Sequence, residues 1–274
     1  MTRPQVIMPN EHFFMLVDEA KMLGADTISV FGYGEPLLDR DICDKIEYCT
    51  RQGMRTFITT NGSLLDIGTT YGLFEAGLSH IRFSVHGIFA KDYEAVHHLP
   101  FTETLRNIFN FIVLNRKRNE RKCETSISTI PMAGESIEDI RAMWEPHVNF
   151  LEIWKPHNWT DGRNFRKVIR RKQTCGRPFN GPVQINADGK MMVCCFDYDA
   201  KLTVGDTYEN TIEEILRSDS FEHIRACHKS GNLEGLICDV CDQLNEGDTP
   251  LLYSNRDPEM NLNTTSTTKV KIES

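Results

Sequence analysis

"TISVFGYGEPLL", residues 27–38, is a short β-branched run that breaks into a glycine-rich loop and ends in Glu-Pro. Thr27, Ile28 and Val30 suit a pleated, half-buried strand. Gly32 and Gly34 allow backbone to approach a ligand closely. The two-part pattern returns twice, in "RTFITTNG" (55–62) and "HIRFSVHG" (80–87). "CETSISTIP" from Cys123 and "FLEIWKPHN" from Phe150 bring the expected strands to five. Helical spacing fills the intervals at 39–52, 65–76, a long tract ending in "LNRKRNERK", and 136–144. Strands recurring about every 25 to 45 residues between helices give the rhythm of βα units in a parallel sheet. A further helix, "NEHFFMLVDEAKMLG", carries Phe13, Val17 and Ala20 at helical spacing and stops at Gly24. A parallel sheet wants a strand before that helix, so the chain is expected to begin in the middle of a domain.

A chain of 274 residues has room for one large domain, or a medium one and a small one. The formal charge of −8 argues against a nucleic-acid partner. No apolar run approaches the roughly 18 residues needed to span a bilayer, so no membrane partner is expected. The N-terminus has no apolar signal-peptide core. The nine cysteines are therefore assigned to a reducing cytoplasm, where clustered Cys points to metal or catalysis before disulfides.

Residues 1–160 form the expected sheet domain, and 161–174 a polar, basic stretch read as a linker, or else as an anionic contact. Residues 175–245 form a small domain that opens with a hairpin turning at Asp188-Gly189 and continues into one or two short helices. The polar segment 246–274 reads as a disordered tail.

In parallel α/β folds ligands sit at the carboxyl ends of the strands. That singles out Gly32, Gly34, Glu35, Asn61 and Ser84. Each motif alone is ordinary loop chemistry, since Gly-x-Gly after a strand is common and Asn-Gly is above all a turn. Three in register after three successive strands point to one shared cleft. Trp154 and Trp159 either line a substrate pocket or seal the small domain.

Cys43, Cys49, Cys123 and Cys227 read as small packed side chains. Cys175, Cys194, Cys195, Cys238 and Cys241 remain. Cys238-x2-Cys241 lets two thiolates reach one metal from a tight turn, and two distant cysteines complete four-sulfur ligation of zinc or of an iron–sulfur cluster. Neighbouring strand residues point to opposite faces, so Cys194 and Cys195 do not easily both serve.

"GYGEPLL" resembles the Gly-Gly-Glu-Pro motif of radical S-adenosylmethionine (SAM) enzymes, with Tyr33 in place of the second residue. "TTNGSLL" and "FSVHG" are similar to what that family carries on its next two strands. Cys175-x13-Gly189-x4-Cys194 followed by Cys238-x2-Cys241 resembles the opening of the SPASM extension. The later SPASM cysteines are lacking. The resemblance implies a partial (β/α)6 TIM-like barrel without its first strand, joined to a small α+β SPASM domain. It implies SAM held near Gly32, Gly34, Glu35, Pro36, Asn61 and Ser84, and one auxiliary [4Fe-4S] cluster on Cys175, Cys194, Cys238 and Cys241. It further implies reductive cleavage of SAM to a 5′-deoxyadenosyl radical in the complete enzyme, an electron donor such as flavodoxin or ferredoxin, and a peptide or protein substrate. The family's Cys-x3-Cys-x2-Cys loop is not in this sequence. A truncated reading frame is the expected cause, and the chain as written is not expected to cleave SAM. The competing expectation is a non-catalytic zinc or iron–sulfur module that recognises a partner.

Overall fold

A computed structural model describes residues 2–119, 122–160, 165, 172–244 and 250–256. The chain divides into two compact units. One comprises Asp26–Lys155 with the segment from Pro250; the other comprises the segment up to Ala25 and the described parts of Pro156–Thr249.

The first unit is built on five parallel strands, β1 (Thr27–Ser29), β2 (Arg55–Thr60), β3 (His80–Ser84), β4 (Glu124–Thr129) and β5 (Phe150–Trp154). These are the five runs expected from the sequence. Helices α2 (Ile42–Arg51), α3 (Ile67–Glu75), α4 (Ala90–His97), α5 (Phe101–Lys117) and α6 (Ile137–Trp144) separate them, the long tract before β4 being two helices. Strand alternation explains the layering. Ile58, Ile81, Phe83, Ile127, Leu151 and Ile153 form one core with Ile46, Leu73, Phe111, Ile112, Ile140 and Trp144 of the helices.

The other strand face is polar. His80 stacks on Phe57 and meets Ser126 Oγ at 2.7 Å, while Glu152 pairs with Arg82 at 3.3 Å and with Arg256 at 3.1 Å.

One difference from the sequence reading concerns the expected tail. Within it, β9 (Leu251–Ser254) pairs antiparallel with β5, completing the order β1-β2-β3-β4-β5-β9. The strand is held by ends as well as ladder. Asn255 Oδ1 accepts from the Leu151 N–H at 2.8 Å, and Tyr253 joins the helix-side core. The rest of the expected tail, and most of the 161–174 linker, lie outside the described residues.

The second unit contains α1 (Asn10–Met22), α7 (Arg177–Asn180), β6 (Gln184–Ile185), β7 (Lys190–Met192), β8 (Thr203–Asp206), α8 (Ile212–Leu216) and α9 (Asp219–Ser230). Its small antiparallel sheet runs β6-β7-β8. The sequence reading allots α1 to the sheet domain, but in the structure it groups here. Leu16 packs with Met191, Val193, Ile212 and Ile215, and the His12 ring stacks 3.7 Å from Tyr208 with Nε2 2.8 Å from Thr207 Oγ1. The β6–β7 turn spans 186–189, with Gly189 left-handed at φ +80°. A capping box of Thr211 and Glu214 starts α8, Ser218 caps α9, and Gly231 ends it at φ +76°.

Candidate functional site

Two groups of residues carry the chemistry, one in each unit. In the first, the loops after β1 and β2 are fastened by Glu35. Its Oε1 accepts from the Leu37 N–H at 3.1 Å and from Thr60 Oγ1 at 2.6 Å, and its Oε2 accepts from the Asn61 N–H at 2.8 Å. Thr60 Oγ1 in turn accepts from the Gly62 N–H, and Asn61 Oδ1 from the Ser63 N–H. Glu35 and Asn61 therefore meet at the carboxyl ends of β1 and β2. Ser84 closes β3 in the same parallel array, in register with Ser128 of β4. Pro36 opens a 3-10 turn over Pro36–Leu38 that Glu35 caps.

Gly32 and Gly34 are exposed, neither has positive φ, and a Cβ added to either meets nothing within 4 Å. The protein's own packing does not demand glycine there, so the open backbone suits close approach of a ligand.

Beyond Ser84 lies a group the sequence did not reveal. The His86 N–H donates to His97 Nε2 at 3.0 Å, and His86 Nδ1 accepts from the Ile130 N–H at 3.1 Å. Those bonds fix both tautomers. His97 also stacks on buried Tyr93, 4.4 Å between centroids. Burial holds His86 neutral, lowering its pKa to about 4.

In the second unit Cys175, Cys194, Cys238 and Cys241 line a single cavity with Arg177, His228, Thr160 and Phe196. Cys195 is not among the lining residues. The reason differs from the one drawn from strand alternation. β7 ends at Met192, and both cysteines lie in the turn that follows. Within that turn the Phe196 N–H donates to Cys194 Sγ at 3.4 Å, whereas the Cys195 sulfur accepts hydrogen bonds from the Cys194 thiol and from Gln184. Cys238 sits in the 3-10 turn Ile237–Val240, and the Cys241 N–H returns to the Cys238 carbonyl at 3.2 Å. That tight turn brings both thiols to the cavity.

The four thiols line one cavity in the second unit. Among the described residues no three Cys, His, Asp or Glu side chains gather as single-ion ligands. This donor set and spacing fit a four-sulfur inorganic cluster. Burial pushes Cys238 up to about 12 and Cys241 up to about 11, so bare thiolates are costly here without a cation. Arg177 supplies one. Burial lowers its pKa, but Cys195, Cys194, Cys175 and Cys241 outweigh that and raise it.

A family model described as the radical SAM superfamily matches residues 1–150, and one for an iron–sulfur cluster-binding domain, SPASM, matches 175–242. The chain belongs to the radical SAM superfamily. Fe-coproporphyrin III synthase of Methanosarcina barkeri is 37% identical over 73 residues, 27% of this chain and 18% of that protein. PqqA peptide cyclase of Granulibacter bethesdensis is 29% identical over 96 residues, 35% of this chain and 25% of that protein. The matches thus span a quarter or less of those relatives' lengths. Among solved structures, Streptococcus suis SuiB bound to the precursor peptide SuiA has a TM-score of 0.59 at 16% identity, covering 89% of this chain and 65% of that one. At that identity the likeness concerns the fold.

Within this radical SAM protein, Cys49 and Cys123 are buried, as the sequence suggested, and burial pushes Cys49 up to about 12. Trp159 packs on Phe196 and Tyr198 inside the SPASM unit, which favours the sealing role for that residue. Arg177 and His228 went unread. Arg177 stands two residues after Cys175, a signal that could have found it; His228 had only its place beside Cys227.

Proposed function

We propose that the chain is an iron–sulfur-binding radical SAM/SPASM protein in which Cys175, Cys194, Cys238 and Cys241 hold one auxiliary [4Fe-4S] cluster. The observation that carries this reading is the four thiols lining one cavity while Cys195 stands outside it. Each cysteine supplies a thiolate, and Arg177 offsets the negative charge of the assembly. Such a cluster supplies one-electron chemistry at a potential set by its surroundings.

In the same reading Gly32, Gly34, Glu35, Pro36, Asn61 and Ser84 serve SAM. Gly32 and Gly34 offer open backbone, and Glu35 orients the Asn61 loop through its own hydrogen bonds. A radical SAM enzyme built on these elements would cleave SAM reductively, with an electron from a flavodoxin or ferredoxin, and modify a peptide or protein. Support for the substrate class is the likeness to a protein named for peptide cyclisation and to one solved with a precursor peptide. The cytoplasm is the setting proposed, since free thiols are stable there. No described helix is long and apolar enough to cross a membrane.

Anaerobic reconstitution of the chain with iron and sulfide tests the reading. A brown protein with broad visible absorption, the Mössbauer spectrum of a cubane and iron in proportion to one cubane per chain is expected. A colourless protein that takes one zinc ion in its place would favour a non-catalytic partner-recognition module.

A further inference from the structure

We propose that His228 donates an Nε2–H hydrogen bond to a sulfur of the cluster held by the four cysteines, and thereby raises the cluster's reduction potential. The inference rests on the cluster reading above and adds to it a residue that is neither ligand nor part of the cysteine motif.

His228 occupies the last turn of α9 and is 1% exposed. Its ring lines the same cavity as Cys175, Cys194, Cys238 and Cys241. One ring nitrogen is accounted for, Nδ1 lying 2.9 Å from Thr174 Oγ1. The other, Nε2, is buried and has no hydrogen-bond partner. Such a group is rare in a folded interior, where a polar atom shut away from water is normally satisfied. A cavity lined by four thiols is where the missing acceptor belongs.

The hydroxyl of Thr174 can serve either tautomer of His228, and the neighbouring thiolate sulfurs favour the one with its proton on Nε2. The hydroxyl accepts from the Gly176 N–H at 3.0 Å, and its single proton is free to be given to His228 Nδ1. In that arrangement Nδ1 is the acceptor and Nε2 the donor. The opposite tautomer aims a lone pair at anionic sulfur, which is repulsive; the Nε2–H tautomer aims a donor at it. Because Thr174 adjoins Cys175, the imidazole is also tied to the segment carrying the first thiolate. Hydrogen bonds to cluster sulfur withdraw electron density from it and favour the reduced state, which carries one more negative charge.

The full chain is reconstituted, iron and sulfide are measured, and the cluster is titrated potentiometrically under electron paramagnetic resonance. His228→Leu removes the donor, whereas His228→Gln keeps an amide N–H at the position of Nε2. The expected result is full iron in both, a more negative midpoint in the Leu variant and recovery toward the native value in the Gln variant. Electron–nuclear double resonance on protein labelled with nitrogen-15 histidine should show the weak coupling of a hydrogen-bonded nitrogen. This measurement uses the unsubstituted protein and decides the matter even if the Leu variant does not fold. Strong direct iron–nitrogen coupling, no nitrogen coupling, or an unmoved midpoint with full iron overturns the assignment and leaves the cluster reading standing. Failure of the unsubstituted chain to take up any cluster overturns both.

Discussion

Glu35 offers a graded test of the loop architecture. Its carboxylate accepts three hydrogen bonds, two at Oε1 from Leu37 and Thr60 and one at Oε2 from Asn61. Glu35→Ala removes all three. At about 1 kcal/mol net for each, and with partial replacement by water at this half-buried position, the loss should be about 2–3 kcal/mol. Glu35→Gln can place its carbonyl at the Oε1 position and keep the bonds from Leu37 and Thr60. Its amide nitrogen then faces the Asn61 N–H, donor against donor, so the loss should be about 1 kcal/mol. Urea unfolding of the two variants beside the parent chain gives the comparison, with the slopes checked for constancy. A loss below about 0.5 kcal/mol for Glu35→Ala would mean that the carboxylate does not fasten the loops. A Gln variant no more stable than the Ala variant would refute the assignment of two bonds to one oxygen.

Gly189→Ala forces a left-handed non-glycine residue, at about 1–2 kcal/mol, and drives a Cβ to 2.5 Å from the Tyr208 ring that stacks on His12. Loss of about 2–4 kcal/mol in the SPASM unit is expected by denaturant melt, and a neutral result would contradict the turn. For His80, burial first and then the charges of Arg82, Arg256 and Arg55 lower the pKa from 6.5 to about 3. The unfolded state therefore binds a proton that the folded state refuses, and stability falls as pH drops from 6.5 toward 3. His80→Gln should flatten the dependence of unfolding free energy on pH between about 6 and 4 by up to about 1.4 kcal/mol per pH unit, and an unchanged slope would show that His80 protonates freely in the folded protein.

The parallel sheet was legible because each strand announces itself locally. The runs around Ile58, Ile81, Phe83, Ile127 and Ile153 are short and rich in β-branched or aromatic residues, and they recur between helical tracts at βα spacing. What failed to show depends on contacts made far along the chain. "LLYS" at 251–254 is four residues without a periodic signature, and its strand exists because Glu152 to Trp154 offers an edge. Membership of α1 in the second unit rests on His12 meeting Thr207 and Tyr208. No pattern within α1 encodes those partners. The four cysteines that line the cavity are those implied by the SPASM resemblance, but the strand alternation invoked against Cys195 does not apply, because the turn after Met192 replaces the strand assumed there. His228 was invisible for a related reason, since its unsatisfied Nε2 becomes meaningful only when the cavity is in view.

The most direct test of the central claim is the iron and sulfide content of Cys194→Ala and Cys195→Ala after identical anaerobic reconstitution. Cys194 lines the cavity and receives the Phe196 N–H, while Cys195 turns to Cys194 and Gln184. The account predicts that Cys194→Ala loses most of its iron and sulfide and that Cys195→Ala keeps the full complement of the parent chain. Retention in Cys194→Ala with loss in Cys195→Ala would contradict it.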